Sequence, residues 1–153
     1  MSELNRPILL VEDNPMDVDL TKRAFAKRKL VNPLVVARDG AEALEQMARW
    51  EAGAPLPIVI LLDLKLPKVP GLEVLRRLKG HARFKSIPVV VLTTSREDCD
   101  VRTAYENGVN SYIVKPVNFE NFVEVAAQRE LYWSALNTPN VTVPGFTPPS
   151  CRP

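Results

Sequence analysis

Short apolar runs alternate with longer amphipathic segments along most of the chain. The runs are four or five residues long and rich in valine, isoleucine and leucine, which is typical of strands buried on both faces of a sheet. They predict five strands, over residues 7–11, 34–37, 58–62, 88–92 and 111–114. The segments that follow them predict five helices: from Pro15 to about Leu30, after Asp39, around Leu72, Leu75 and Leu78, from a capping box at Ser95 to Asn107, and from about Phe119 to Leu136.

Strands that alternate with helices in this way form a parallel sheet with helices on both faces. We therefore predict a single α/β domain over residues 6–136, a (βα)5 doubly wound parallel sheet with the flavodoxin-like strand order 2-1-3-4-5. This order places strands one, three, four and five side by side. Strand two ends in Ala37-Arg38 and is expected to lie outside any site that those four strands form.

Two further segments are marked by proline. Pro70 and Gly71, before the third helix, occupy the central positions of a predicted type II turn. Residues 137–153 are rich in proline and lack periodicity, so they predict a weakly ordered C-terminal tail.

Composition narrows the class of protein without changing the predicted fold. The 153 residues are 46% hydrophobic and 25% charged, as in a soluble globular domain, and the net charge of +2 does not indicate nucleic-acid binding. The N-terminus lacks the apolar region of a signal peptide, and no apolar run approaches the roughly 18 residues of a membrane span. We expect a cytoplasmic protein without membrane contact, in which Cys99 and Cys151 are free thiols.

Polar residues follow four of the predicted strands where each strand ends. Glu12 and Asp13 follow the first strand, Asp63 the third, Thr93 the fourth and Lys115 the fifth. Taken singly, each is typical of a helix cap or a solvated strand end. The carboxyl ends of parallel strands share one edge of a sheet, where open α/β folds bind ligands, so we expect these side chains to form one site.

These residue types indicate a chemistry. Three neighbouring carboxylates repel one another unless a cation lies between them, and oxygen ligands suit Mg²⁺. Lys115 would supply positive charge to an incoming anion, and Thr93 a hydrogen bond. Asp63 is then the best candidate for a nucleophile that forms an acyl phosphate.

The same residues resemble the receiver domains of two-component response regulators over about residues 6–136. The resemblance is carried by Glu12-Asp13, Asp63 with Leu66-Pro67 and Gly71, Thr93, Tyr112 and Lys115-Pro116. It implies that a sensor histidine kinase phosphorylates Asp63, and that the protein is a phosphoacceptor rather than an enzyme.

The resemblance also implies individual roles. Asp13, Asp63 and the backbone carbonyl of Lys65 would bind Mg²⁺, and Glu12 would act through a metal-bound water. Thr93 and Lys115 would bind the phosphoryl group. Tyr112 would be an aromatic switch that moves inward with Thr93.

Three segments of the sequence indicate which type of kinase to expect as a partner. Residues 92–95, residues 108–119 and the pair Tyr132-Trp133 resemble the small response regulators of bacterial and cyanobacterial phytochromes, which implies a phytochrome-type kinase. No output domain follows the fifth helix, so we expect a stand-alone receiver without direct nucleic-acid contact. The fifth helix has two apolar stripes, which predict a homodimer through the helix 4, strand 5 and helix 5 face, or a stripe covered by the tail.

Three other functions fit the predicted fold less well. A haloacid-dehalogenase-type phosphatase needs an aspartate two residues after its nucleophile, where this chain has Lys65. A nucleotide-binding domain needs a glycine-rich loop after the first strand, where Glu12 and Asp13 stand. A receiver-like scaffold that is never phosphorylated would not need the full set of site residues.

Overall fold

Five parallel strands form one sheet in the computed structural model, which describes residues 6–27, 32–93, 99–109, 111–115 and 120. The strands are β1 (Ile8–Val11), β2 (Leu34–Ala37), β3 (Val59–Asp63), β4 (Val89–Thr93) and β5 (Ser111–Val114). Their order is β2-β1-β3-β4-β5, and all neighbouring strands are parallel. The predicted flavodoxin-like fold and strand order are confirmed.

Helices connect successive strands. They are α1 (Pro15–Lys27), α2 (Gly40–Glu51), α3 (Gly71–Lys79) and α4 (Cys99–Glu106), with a short 3-10 turn at Phe84–Ser86 that the sequence did not predict. The predicted fifth helix, apart from Glu120, and the tail lie outside the described residues. None of the helices within the described ranges is long and apolar enough to cross a membrane.

The core has two layers, one on each face of the sheet, because successive strand side chains point to opposite faces. One layer packs strand residues such as Leu9, Ile60 and Val91 against α2, α3 and the 3-10 turn. The other packs Leu10, Leu61 and neighbouring strand residues against α1. The burial of β1, β3 and residues 89–92 of β4 on both faces explains the near-continuous apolar runs at these central strands.

Two strands extend one residue further than predicted. Asp63 is the last residue of β3 and is in register with Leu92, and Thr93 is the last residue of β4, in register with Val114. These two residues are therefore held by the sheet itself rather than by the loops after it.

The predicted type II turn is wrong. Such a turn needs a positive φ at its second central residue, whereas Gly71 is not among the described residues with positive φ and begins α3 directly after Pro70. The glycine serves close packing instead. A Cβ at this position would lie 2.4 Å from the Asp63 carbonyl oxygen and 2.5 Å from the Leu64 Cα.

Candidate functional site

The carboxyl ends of β1, β3 and β5 bring Glu12, Asp63 and Lys115 together as predicted. The Lys115 Nζ lies 2.9 Å from Asp63 Oδ2 and 2.7 Å from Glu12 Oε2. Carboxylate oxygens of Glu12, Asp13 and Asp63 also lie within 4.8 Å of one another. The chain thus gathers three acidic side chains and one cation at the sheet edge.

Backbone groups fix the orientation of the two buried carboxylates. The Asn14 N–H donates to Glu12 Oε1 at 3.1 Å, and the Lys65 N–H donates to Asp63 Oδ1 at 3.0 Å. Each acid is thereby bonded to the amide two residues later, and at Asp63 this is the local pattern of an Asx turn. The second oxygen of each acid remains directed at Lys115.

Strand β2 lies outside the cluster of site side chains, as predicted, but its backbone supports Glu12. Val11 and Ala37 are in register, so the Ala37 carbonyl accepts the Glu12 N–H at 2.9 Å. The end of β2 contributes no functional side chain, but it holds the backbone of Glu12.

Burial and charge change the protonation of the site. Glu12 is 1% exposed, and burial, together with the nearby Asp63 charge, raises its pKa to about 7 against the opposing contacts from Lys115 and the Asn14 amide. Burial alone would lower the pKa of Lys115, but its contacts with Glu12 and Asp63 outweigh that effect and raise it. Lys115 is therefore charged at neutral pH.

Asp17 is a site residue that sequence reasoning missed. Its Oδ2 lies 3.4 Å from Lys115 Nζ, and its side chain is 21% exposed. The only sequence signal is an acidic residue in the first turn of α1, which is ordinarily explained by the helix dipole. Its role follows from the position of α1, which begins two residues after Asp13 and places its first turn beside the site.

The donor set fits a hard divalent cation. Three carboxylates, from Glu12, Asp17 and Asp63, contact Lys115, and an oxygen of a fourth, Asp13, lies within 4.8 Å of oxygens of Glu12 and Asp63. All candidate ligand atoms are oxygens, and Asp13 is exposed, so an ion held there could keep bound waters. These features suit Mg²⁺ or Mn²⁺.

For the other predicted site residues, Thr93, Tyr112 and Lys65, the structure gives the backbone position and few side-chain contacts. Thr93 ends the strand next to β3, but its side chain lies outside the described part of the structure. Tyr112 is half-buried in β5, where it is in register with Val91. Lys65 is exposed, and its backbone N–H donates to Asp63 Oδ1.

Comparison with known proteins identifies the family. Residues 8–127 match the response regulator receiver domain. The chain belongs to the response regulator receiver family. Proteins of this family generally act in signalling rather than as enzymes, and they bind Mg²⁺ or Mn²⁺ at an acidic pocket.

One curated protein and one solved structure are similar to this receiver over most of their length. The probable methanogenesis regulatory protein FilR2 of Methanothrix harundinacea is 46% identical over 131 residues, which cover 85% of this chain and 84% of FilR2. The structure of the bacteriophytochrome response regulator AtBRR is 49% identical, with a TM-score of 0.77 and coverage of 88% of this chain and 99% of AtBRR.

Two solved structures of similar receivers bear on the site. The Mn²⁺-bound response regulator Rcp1, a protein of Synechocystis, is 37% identical, with a TM-score of 0.68 and coverage of 92% of this chain and 99% of Rcp1. The phosphorylated cyanobacterial phytochrome response regulator RcpA is 40% identical, with a TM-score of 0.70 and coverage of 85% and 95%. The receiver described here is thus homologous to phytochrome response regulators.

Proposed function

We propose that this chain is a response regulator that accepts a phosphoryl group on Asp63 from a phytochrome-type sensor histidine kinase in a Mg²⁺-dependent reaction. The observation that carries the proposal is the contact of Asp63 Oδ2 with Lys115 Nζ at 2.9 Å, beside the carboxylates of Glu12 and Asp13. A carboxylate in such surroundings can attack phosphorus while a fixed cation faces the phosphoryl oxygens.

In the proposed reaction an Asp63 carboxylate oxygen forms a bond to the phosphorus of a kinase phosphohistidine. The phosphorus–nitrogen bond breaks, and the kinase imidazole leaves with the electron pair. Lys115 shifts its contact from Asp63 to a phosphoryl oxygen while Glu12 and Asp17 keep it close to the site. The Lys65 N–H holds the Asp63 carboxylate in orientation during the attack.

Asp13, Asp63 and the Lys65 backbone carbonyl would hold Mg²⁺, with Glu12 acting through a metal-bound water. When bound, the ion supplies positive charge that offsets the phosphoryl oxygens. The excess of four carboxylates over one lysine supports this assignment, because a divalent cation relieves their repulsion.

The signal would pass from the acyl phosphate to Thr93 and Tyr112. Thr93 would bind the phosphoryl group, and Tyr112 would move inward and change the face formed by α4, β5 and the predicted fifth helix. We propose that this face also forms a homodimer, on the basis of the two apolar stripes that the sequence predicts for the fifth helix. Cytoplasmic location is part of the same proposal, since a cytoplasmic kinase domain must reach Asp63.

A phosphotransfer experiment tests the acceptor. A bacteriophytochrome kinase, labelled with radioactive ATP, is incubated with the receiver, with Asp63→Asn or with Asp19→Asn, whose parent residue pairs with Arg23 on α1. We expect Mg²⁺-dependent label on the wild type and on Asp19→Asn, and none on Asp63→Asn. Undiminished labelling of Asp63→Asn contradicts the assignment.

Acetyl phosphate, a small phosphodonor, tests phosphorylation of Asp63 separately from pairing with a phytochrome-type kinase. Labelling by acetyl phosphate but not by the kinase contradicts phytochrome pairing and leaves Asp63 as the acceptor. A wild type that neither donor labels contradicts phosphorylation itself and favours the scaffold alternative.

A further inference from the structure

The loop after Asp63 contains a strained turn. In this β3–α3 loop, residues 64–70, Lys68 has a φ of 67°, and the Val69 N–H donates to the Pro67 carbonyl at 2.8 Å. A three-residue turn with positive φ at a residue other than glycine is unfavourable. Such a conformation persists only where the surrounding structure holds it.

The amino-terminal end of α2 supplies that support. The Gly40 N–H donates a long hydrogen bond of 3.4 Å to the Pro67 carbonyl, and Asp39 Oδ2 lies 3.3 Å from Lys68 Nζ. The packing is also close. A Cβ at Gly40 would lie 2.1 Å from the Val69 carbonyl oxygen, so any other residue there displaces the loop.

The loop is tied to the phosphorylation site at both of its ends. At its start, the Lys65 N–H is bonded to Asp63 Oδ1. At its end, the Gly71 N–H donates to the Leu64 carbonyl at 3.0 Å, and Gly71 packs directly on the Asp63 backbone. A displacement of the loop would therefore reach both Asp63 and the Lys65 backbone.

We propose that Gly40 and Asp39 are positioning residues, which hold the β3–α3 loop and the Lys65 carbonyl where Mg²⁺ binding at Asp63 requires them. The inference rests on the proposed function. It extends the site to the β2–α2 connection, which follows Ala37, the β2 residue whose carbonyl accepts the Glu12 N–H. Neither positioning residue would touch the metal or the phosphoryl group.

The test uses Gly40→Ala, with Gly80→Ala as the matched control. Gly80 lies at the far end of α3, and a Cβ there would be 3.1 Å from the Arg76 carbonyl oxygen, a much milder contact than the 2.1 Å at Gly40. Mg²⁺ affinity is measured by titrating ¹⁵N-labelled protein, and amide hydrogen exchange at Lys65 and Gly71 is measured in EDTA. The exchange experiment needs no metal.

We expect Gly40→Ala to lower Mg²⁺ affinity about tenfold, as the loss of groups that orient metal ligands does. Exchange at Lys65 and Gly71 should accelerate, and Gly80→Ala should match the wild type in both measurements. A folded Gly40→Ala protein with wild-type affinity and exchange overturns the proposal.

If Gly40→Ala does not fold, the same measurements on Lys68→Ala test the proposal, and Lys22→Ala, at an exposed position, is the control. Loss of the Asp39–Lys68 pair should weaken Mg²⁺ binding about twofold to fivefold, the worth of a partly exposed ion pair. Loss of a cation alone would strengthen Mg²⁺ binding, so an affinity equal to or above that of Lys22→Ala overturns the proposal.

A wild type that binds no Mg²⁺ contradicts the proposed function instead. In that case the exchange at Lys65 in EDTA still decides whether α2 holds the loop: unchanged exchange in the folded variant overturns the inference, and faster exchange supports it.

Discussion

Replacing Lys115 with methionine removes the cation that three carboxylates share. Its Nζ lies 2.7 Å from Glu12, 2.9 Å from Asp63 and 3.4 Å from Asp17, and only 13% of its side chain is exposed. Removing one member of a buried ion pair costs about 3–5 kcal/mol, and partial exposure at Asp17 favours the lower end of that range. We expect Lys115→Met to lose about 3 kcal/mol of stability in EDTA.

Mg²⁺ should reverse part of this loss. Lys115 occupies the carboxylates that the ion would bind, so its removal should raise Mg²⁺ affinity and increase the stabilisation that MgCl₂ provides. Urea unfolding followed by tryptophan fluorescence measures both effects, since Trp50 is 3% exposed in the core. Lys22→Met, at an exposed position on α1, is the control.

Two results would refute the reasoning about Lys115. One is a stability in EDTA within about 0.5 kcal/mol of the wild type, the range of ordinary surface substitutions. The other is a smaller response to MgCl₂ in Lys115→Met than in the wild type.

Two further predictions concern Glu12 and the surface of α1. Because burial raises the pKa of Glu12 from 4.5 to about 7, the folded protein in EDTA binds a proton that the unfolded chain has lost in that interval. The free energy of unfolding, measured in urea, should therefore decrease from pH 4.5 to 7, and it should decrease less in Glu12→Gln. An equal decrease in the wild type and in Glu12→Gln would contradict this assignment of the pH dependence to Glu12. Met16 and Leu20 lie one helical turn apart beside the site and are 74% and 46% exposed, so we expect them to contact the kinase. The double variant Met16→Ser, Leu20→Ser should lower kcat/KM for phosphotransfer from the kinase to the receiver about tenfold, as loss of an apolar interface contact does. Labelling by acetyl phosphate should not change, and an unaltered kinase reaction would exclude this docking surface.

The sequence predicted the sheet well because strands buried on both faces leave a strong apolar signal. The five apolar runs indicated the number of strands, most clearly at β1, β3 and β4, and the crossover rules left few possible orders. The polar residues at the strand ends then indicated the cluster of Glu12, Asp63 and Lys115, because parallel strands share one carboxyl edge.

The features that the sequence did not reveal depend on how separate elements approach one another. Asp17 looks like an ordinary first-turn acid, and only the placement of α1 brings it to Lys115. Gly71 suggested a turn, whereas its lack of a side chain permits contact with the Asp63 backbone. Gly40 gave no signal, since its contact with Val69 joins elements that are distant in the chain.

The resting site has a consequence for signalling. Lys115 is bonded to Asp63 before any phosphoryl group arrives, so phosphorylation would exchange one anionic partner of Lys115 for another. Because Lys115 directly follows β5, such an exchange would act on the strand that carries Tyr112.

Chemical mapping of the acyl phosphate on the wild-type protein tests the central claim most directly. After reaction with the phosphorylated kinase and Mg²⁺, borohydride reduction converts an aspartyl phosphate to homoserine, and peptide mass spectrometry locates it. We predict homoserine at position 63, and none when EDTA is present. Homoserine at another acidic position, or none anywhere after kinase-dependent labelling, would contradict the assignment of Asp63 as the phosphoacceptor.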